Sequence, residues 1–335
     1  MRKFITIITF IIASIVVTQA EASFSQIALK TERTETFQHS LLNDTSNIFN
    51  EKTMHRSLNK PFIPVDTPQE DVYKSFLSEY DMIWDMMDSD YENFYLVGRS
   101  NGREVGGYET RTGKSVFGIT IGDSRSTVEQ KYGKPIKHIT KEKKNYTQSY
   151  TDKSGQMTSG TYKIKDNYVT FFYDIHANDT VRSIAWIAEK TEASKPGFFR
   201  TDISSAFRDS MEEMMVHLIN QTRVAQGLNA LIYTPAYNAI AREHSTDMIE
   251  NNYFGHIAPN GHNARNRLNE GELAFSYYGE NLAYGQYSAI HAHEALMNSE
   301  GHRENILHAD FTHVLVGVDF TVEGVPYFTV NFYEQ

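Results

Sequence analysis

The spacing of apolar positions changes several times along the chain, and each change predicts a different element. Phe4 to Val17 is an unbroken apolar run behind Arg2 and Lys3, and Ala20-Glu21-Ala22 follows it. A positive start, an apolar stretch and an A-x-A site predict an export signal over 1–22. The run falls short of the ~20 residues needed to cross a bilayer, so no transmembrane anchor is expected after cleavage. Residues 23–60 are polar and aperiodic, which predicts a flexible spacer. Val72, Phe76, Leu77, Tyr80, Ile83 and Trp84 then recur at helical spacing and predict a helix over 69–87.

Beyond that point the period becomes two. Asn93 to Gly98 and Arg103 to Tyr108 flank Asn101-Gly102, a hairpin signal. The stretch Gly98-Arg99-Ser100-Asn101-Gly102 fits G-x-S-x-G, but that motif exposes a nucleophile only at a strand-to-helix turn. A strand follows here, so Ser100 is read as a turn residue. Gly118 to Ser124 leads into a short helix at Ser126 to Tyr132, closed by Gly133 and Pro135. Lys137 to Lys144 reads as a solvated basic turn. Tyr168 to Tyr173 and Val181 to Ile187 read as strands joined at Asn178-Asp179. Residues 61–188 are therefore expected to form one α+β domain. The linker is placed at 189–203, around Lys195-Pro196-Gly197.

The remainder, 204–335, opens with a helix capped at Ser204, whose apolar face carries Phe207, Met211, Met214, Met215, Leu218 and Ile219. Thr234-Pro235 starts a second helix with Ile240, Ala241, His244 and Met248 inward, where His244 is expected to be a core residue. Short helices follow over 265–270 and 289–298. Val314 to Phe320 and Val325 to Phe332 make a closing hairpin across Glu323-Gly324.

Composition narrows the chemistry. The 335 residues include no cysteine, so disulfides, thiolate metal sites and cysteine nucleophiles are excluded. Net charge is −10; without Arg2, Lys3 and Glu21 the count is 30 basic against 41 acidic residues, or −11. That balance argues against nucleic acid as a partner. An exported, acidic, cysteine-free chain suggests a Gram-positive bacterium. No HExxH is present, so a zincin-type protease has no motif support.

Three blocks carry the candidate chemistry: Phe254 to Pro259, Gly279 to Ala283, and Asn298 to Leu307. Each sets a histidine or glutamate beside glycine, asparagine or proline. His256, Glu280, Glu300 and His302 are the candidate cleft residues. His256, His302 and Glu280 could hold a divalent cation, zinc first, or share protons.

Several segments in fixed order resemble a family: Asn220-x-x-Arg223, Ala241-x-x-His244-Ser245-x-x-Met248, Asn252 to His256, Gly279 to Ala283, Met297 to Leu307, and Phe311-Thr312. They resemble the CAP domain (cysteine-rich secretory protein, antigen 5, pathogenesis-related 1) in its bacterial form. The preceding half, with its Gly-Asp-Ser to Tyr-Gly-Lys-Pro unit, resembles the CAP-associated N-terminal module. The resemblance implies an α+β chain whose C-terminal α-β-α sandwich follows a smaller α+β domain. It also implies a cleft of two His and two Glu that binds a divalent cation in some members. His256 and Glu280 match the first of each pair. Ala309-Asp310 stands where the second histidine is usual, and Leu296 where a tryptophan is usual.

The expected function is a secreted or envelope-associated protein that binds a ligand or divalent metal in this cleft. The partner would be a small molecule, a lipid or a cell-wall component, with a protein partner at the N-terminal domain. A metal-dependent hydrolase and a structural coat protein are the alternatives. The export reading makes one direct prediction: N-terminal sequencing of protein recovered from culture medium should begin at or close to Ser23, and a cell-bound product retaining Met1 would overturn it.

Overall fold

The computed structural model describes residues 72–335. The export signal over 1–22, the spacer over 23–60 and the start of the 69–87 helix lie outside the described residues.

The N-terminal module is built on strands β1 (Lys74–Leu77), β2 (Ile83–Met86), β3 (Tyr95–Ser100) and β4 (Arg103–Glu109). Two short strands, β5 (Ser115–Val116) and β6 (Ile119–Thr120), precede helix α1 (Arg125–Tyr132). Next come β7 (His138–Lys141), β8 (Lys144–Thr147), β9 (Ser159–Ile164), β10 (Asn167–Asp174) and β11 (Thr180–Ala188). Seven of these form one antiparallel sheet in the order β1-β2-β3-β4-β11-β10-β9. The expected 3–4 hairpin is present, with Asn101 (φ 51°) and Gly102 (φ 73°) both in the left-handed region that a tight hairpin turn requires.

The helix expected over 69–87 is a two-strand hairpin instead. Phe76 and Trp84 fall at helical spacing, but they are cross-strand partners in this hairpin, which sets both on one buried face. What decides is Ser78, whose buried Oγ donates to the carbonyls of Tyr80 (3.0 Å) and Met82 (2.8 Å) and turns the chain. The 137–144 segment is also not a solvated turn. It forms the β7–β8 hairpin, and Lys141 is buried with its Nζ 2.8 Å from Glu192 Oε1.

Helix α2 (Glu189–Ser194) occupies the start of the expected linker. Thr191, Glu192 and Lys195 are buried there, and Tyr80 Oη donates to Glu192 at 2.8 Å, so this stretch is packed rather than open chain.

The C-terminal module begins with helix α3 (Ser205–Ala225), capped by Ser204 Oγ accepting from Phe207 N at 3.1 Å. Strand β12 (Ile232–Tyr233), helix α4 (Asn238–Glu250), helix α5 (Ala264–Glu270) and strand β13 (Tyr277–Tyr284) follow. Helices α6 (Ala289–Met297) and α7 (Glu300–Ile306) and strands β14 (His313–Phe320) and β15 (Pro326–Glu334) complete it. The sheet order is β12-β14-β15-β13, with β12 parallel to β14.

Both faces of this sheet are covered, and β14 shows how. Val314, Val316 and Val318 join the core containing Met211, Met215 and Leu218 of α3, whereas Leu315 joins Ile240 and Ala241 of α4. A Cβ on Gly317 would lie 2.0 Å from Arg242 N, so only glycine lets α4 approach this closely. The result is an α-β-α sandwich.

The two modules share a core. Phe76, Trp84, Leu96 and Tyr108 of the first sheet lie in the same buried cluster as Phe207, Met214 and Leu296. At its edge the Glu294 carboxylate from α6 is buried. It accepts from Tyr108 Oη (2.6 Å) and Ser183 Oγ (2.6 Å) and pairs with Arg182. Burial opposes its charge, yet Arg182 and the hydrogen bonds hold its pKa below the usual glutamate range. Glu294→Ala would strand Arg182 and should lower unfolding free energy by about 3 kcal/mol. Urea melts of wild type and variant should each show a single transition; two transitions in wild type would contradict the shared core.

Candidate functional site

Strand pairing fixes the centre of the site. β13 lies at the sheet edge and pairs with β15, which sets Glu280 opposite Asn331. The Glu280 carboxylate is buried and all its bonds are internal. Asn331 Nδ2 donates to Oε2 at 2.9 Å, Arg267 Nη2 of α5 donates to Oε2 at 2.7 Å, and His256 Nδ1 lies 2.9 Å from Oε1. Burial opposes ionisation, but the His256 hydrogen bond and the Arg267 charge outweigh it and lower the Glu280 pKa.

Arg267 also ties down the loop that carries His256. Its Nη1 donates to the carbonyls of His256 (3.3 Å) and His262 (3.2 Å). His256 itself is exposed. Behind it stands His244, buried, with Nε2 donating to the Gly255 carbonyl at 3.1 Å. Burial and the Arg267 charge drive the His244 pKa down to about 4, so it is neutral and structural, as expected for a core residue.

Of the four expected cleft residues, the fold brings His256 and Glu280 into contact. His302, on α7, is half-buried, and burial together with the His256 charge lowers its pKa. Glu300, the first residue of α7, is exposed and does not join the cluster. Among the described residues no three His, Asp or Glu side chains gather as a metal site would require. Both Glu280 oxygens are already bonded, and Arg267 places a fixed cation against them. As arranged, this donor set does not fit a divalent metal.

Arg267 is the site residue that sequence reasoning missed. A buried carboxylate needs a cation, and Arg267 lies between the first two blocks, which is the signal that could have found it. The second and third blocks meet through asparagines. Asn305 Nδ2 donates to Asn281 Oδ1 (2.8 Å) and to the Glu280 carbonyl (3.2 Å), and Asn281 Nδ2 donates to the His302 carbonyl (2.9 Å). A Cβ on Gly279 would meet Phe311 at 2.8 Å and Asn305 at 2.9 Å, which explains the glycine.

Other motif residues brace the fold. Arg223 is 1% exposed and donates to the carbonyls of Asn229 (2.9 Å), Ile306 (2.8 Å) and His308 (2.8 Å). Arg303 turns away from the cleft and holds Asp174 of the N-terminal module at 3.1 and 3.0 Å.

Comparison with known proteins identifies both modules. The family described as CAP-associated N-terminal matches residues 71–198, and the cysteine-rich secretory protein family matches residues 216–332. The chain is a CAP-domain protein. It is 27% identical over 271 residues to the Bacillus subtilis uncharacterized membrane protein YlbC, covering 77% of each chain. It is 35% identical over 130 residues to the uncharacterized protein YkwD of the same organism, covering 39% of this chain and 51% of YkwD. It thus spans about half of YkwD's length.

Two solved structures share the fold. An extracellular SCP-domain protein from Bacillus anthracis superposes with TM-score 0.68 at 22% identity, covering 87% of this chain and 99% of that one. A cysteine-rich secretory protein from Staphylococcus aureus gives 0.61 at 15% identity, covering 79% and 89%. The CAP fold of the C-terminal module and the domain that precedes it are thereby established.

The CAP site makes an asymmetric prediction. Arg267→Ala removes the cation from a buried carboxylate and should cost about 3 kcal/mol, whereas His256→Ala touches an exposed partner and should cost less than about 1 kcal/mol. The lowered Glu280 pKa contributes stability present above the unfolded value near ~4.3 and lost as pH falls through the folded one. Arg267→Ala should therefore flatten the acid limb of a stability-versus-pH curve from urea melts. Equal losses in the two variants would sink the bracing role.

Proposed function

We propose that this CAP-domain protein is exported and acts at the cell envelope or outside the cell, by binding rather than by hydrolysis. The observation that carries the reading is that the buried Glu280 carboxylate is held by Arg267, Asn331 and His256. A general base needs an oxygen free to take a proton from water, and a catalytic metal needs ligands with an open position. This carboxylate is buried and tied to a fixed cation, and its lowered pKa makes it a weak base.

What the cleft does present is an apolar face. Phe254 and Tyr284 lie 4.6 Å apart between ring centroids, and Tyr284 and Tyr327 lie 5.1 Å apart. Phe254 is 38% exposed and Ile257 64% exposed, on either side of His256. An apolar patch beside an imidazole suits a small ligand with an apolar body and a polar end, such as a lipid or a cell-wall component. Export rests on the N-terminal apolar run. Among the described residues no helix is long and apolar enough to cross a membrane. One relative is described as a membrane protein and one structural neighbour as extracellular, and an envelope location accommodates both.

Calorimetric titration of zinc into wild type and His256→Ala tests the metal-free reading. Neither protein is expected to show a saturable site. A stoichiometric site in wild type that disappears in a folded His256→Ala variant would overturn the reading and restore a metal centre.

A further inference from the structure

The hairpin β7–β8 and the irregular chain after it, with its Thr151 to Met157 bridge, face residues 285–298 of the CAP domain and leave a cavity of about 310 Å³ between the modules. One wall carries Ser149, Tyr150, Thr151 and Ser159, and the other Gln286 and Asn298. Gly285, with φ 84°, is the left-handed turn after β13 that brings Gln286 and Tyr287 to this wall. The rim residues Thr147, Ser149 and Thr151 are exposed, so the cavity is reached from solvent.

The lining is neutral. Its one carboxylate, Glu294, is already held by Arg182, Ser183 and Tyr108. His291 has both ring nitrogens engaged, with Tyr287 Oη and Ser288 Oγ each at 2.9 Å, and burial drives its pKa down to about 3. Hydroxyls and amides make up most of the rest, with the rings of Phe172, Phe198 and Tyr287 among them.

The lining itself offers a charged ligand no counter-ion, and Lys195, which lies over the Phe198 and Tyr287 rings, is buried and offset by Glu192, so such a ligand would lose its hydration uncompensated. A purely apolar ligand would strip water from a wall of hydroxyls and leave them unpaired. A molecule with many neutral hydroxyls on an apolar ring meets both constraints. The volume lies at the lower end of the range for small-molecule sites, roughly 300–1,000 Å³.

Gln286 adds a second observation. Its Oε1 is shielded from solvent and has no hydrogen-bond partner among the described residues. Turning that amide toward a ligand hydroxyl gains a bond without breaking one. We propose that the cavity between the two modules is a binding site for a neutral saccharide. It shares no residue with the His256–Glu280–Arg267 cluster, so it stands or falls separately from the reading of that site.

The test uses the full chain. N-acetylglucosamine, its β-1,4-linked dimer and maltose are titrated by calorimetry, with glucuronate as the charged control, and pelleting with chitin provides an insoluble arm. At least one neutral sugar should bind saturably and glucuronate should not. Gln286→Ala should weaken binding about 5- to 10-fold, the loss of one hydrogen bond. Ser149→Trp should abolish it by filling the rim, and because Ser149 is exposed, circular dichroism should be unchanged. Binding of soluble sugar identifies a free saccharide as the occupant. Pelleting alone, lost in Ser149→Trp, identifies an extended glycan chain. No neutral binding in either arm, binding indifferent to Ser149→Trp, or preference for glucuronate would overturn the proposal.

Discussion

The seam between the two modules is where this structure commits itself. Glu294, a fully buried carboxylate, cannot remain charged inside a protein without a cation and donors. It obtains all of them from the other module: Arg182, Ser183 and Tyr108. Arg303 and Asp174 repeat the arrangement in the opposite sense, with the cation on the CAP domain and the carboxylate on the preceding sheet. Asn298 adds a neutral version, its Nδ2 donating to the Tyr173 carbonyl and its Oδ1 accepting from Ile175 N. Each group would be costly to leave unpaired. Separating the modules therefore exposes apolar core and also breaks three sets of buried polar bonds.

That seam reassigns the third sequence block. Asn298 and Arg303 belong to a stretch that looks like site chemistry when read alone, and both serve docking. The candidate site is correspondingly smaller, with His256, Glu280 and Arg267 in contact and His302 nearby. Arg267 supplies the cation that a buried Glu280 needs. A guanidinium also fixes geometry, because it reaches two loop carbonyls while it neutralises the carboxylate.

Much of the CAP half was legible because its elements announce themselves. Ser204 caps α3, the Phe207 to Ile219 face is continuous, and β14 and β15 are long apolar runs around Glu323-Gly324. The N-terminal half was harder for definite reasons. Phe76, Tyr80 and Trp84 fit a helical spacing, yet Phe76 and Trp84 pair across a hairpin whose turn rests on one buried Ser78 hydroxyl. β9 was not picked out, because a strand whose face contacts are distant in sequence leaves a weaker local signal. Buried charges were the least visible. Lys141 sits in a run of lysines that composition assigns to solvent, and only the fold reveals that Glu192 and the Gly197 carbonyl await it. Glu280 could be singled out by its block, whereas the Arg267 that governs it carries no motif of its own and is signalled only by the carboxylate's need for a cation.

The same asymmetry separates the two sites of interest. The cleft at His256 is made by one domain, and its residues fall in recognisable blocks. The inter-module cavity is made by two chain segments more than a hundred residues apart, each unremarkable alone: a Thr- and Ser-rich stretch around 147–159 and the Gly285-Gln286-Tyr287 turn. Hydroxyl-rich loops ordinarily satisfy themselves with water. Here the Glu294 and Arg303 contacts hold the modules together and turn such a loop into one wall of a cavity open to solvent, whose one carboxylate is already paired. The docking chemistry at the seam thus creates the pocket, and a protein with only the CAP domain would lack half of it.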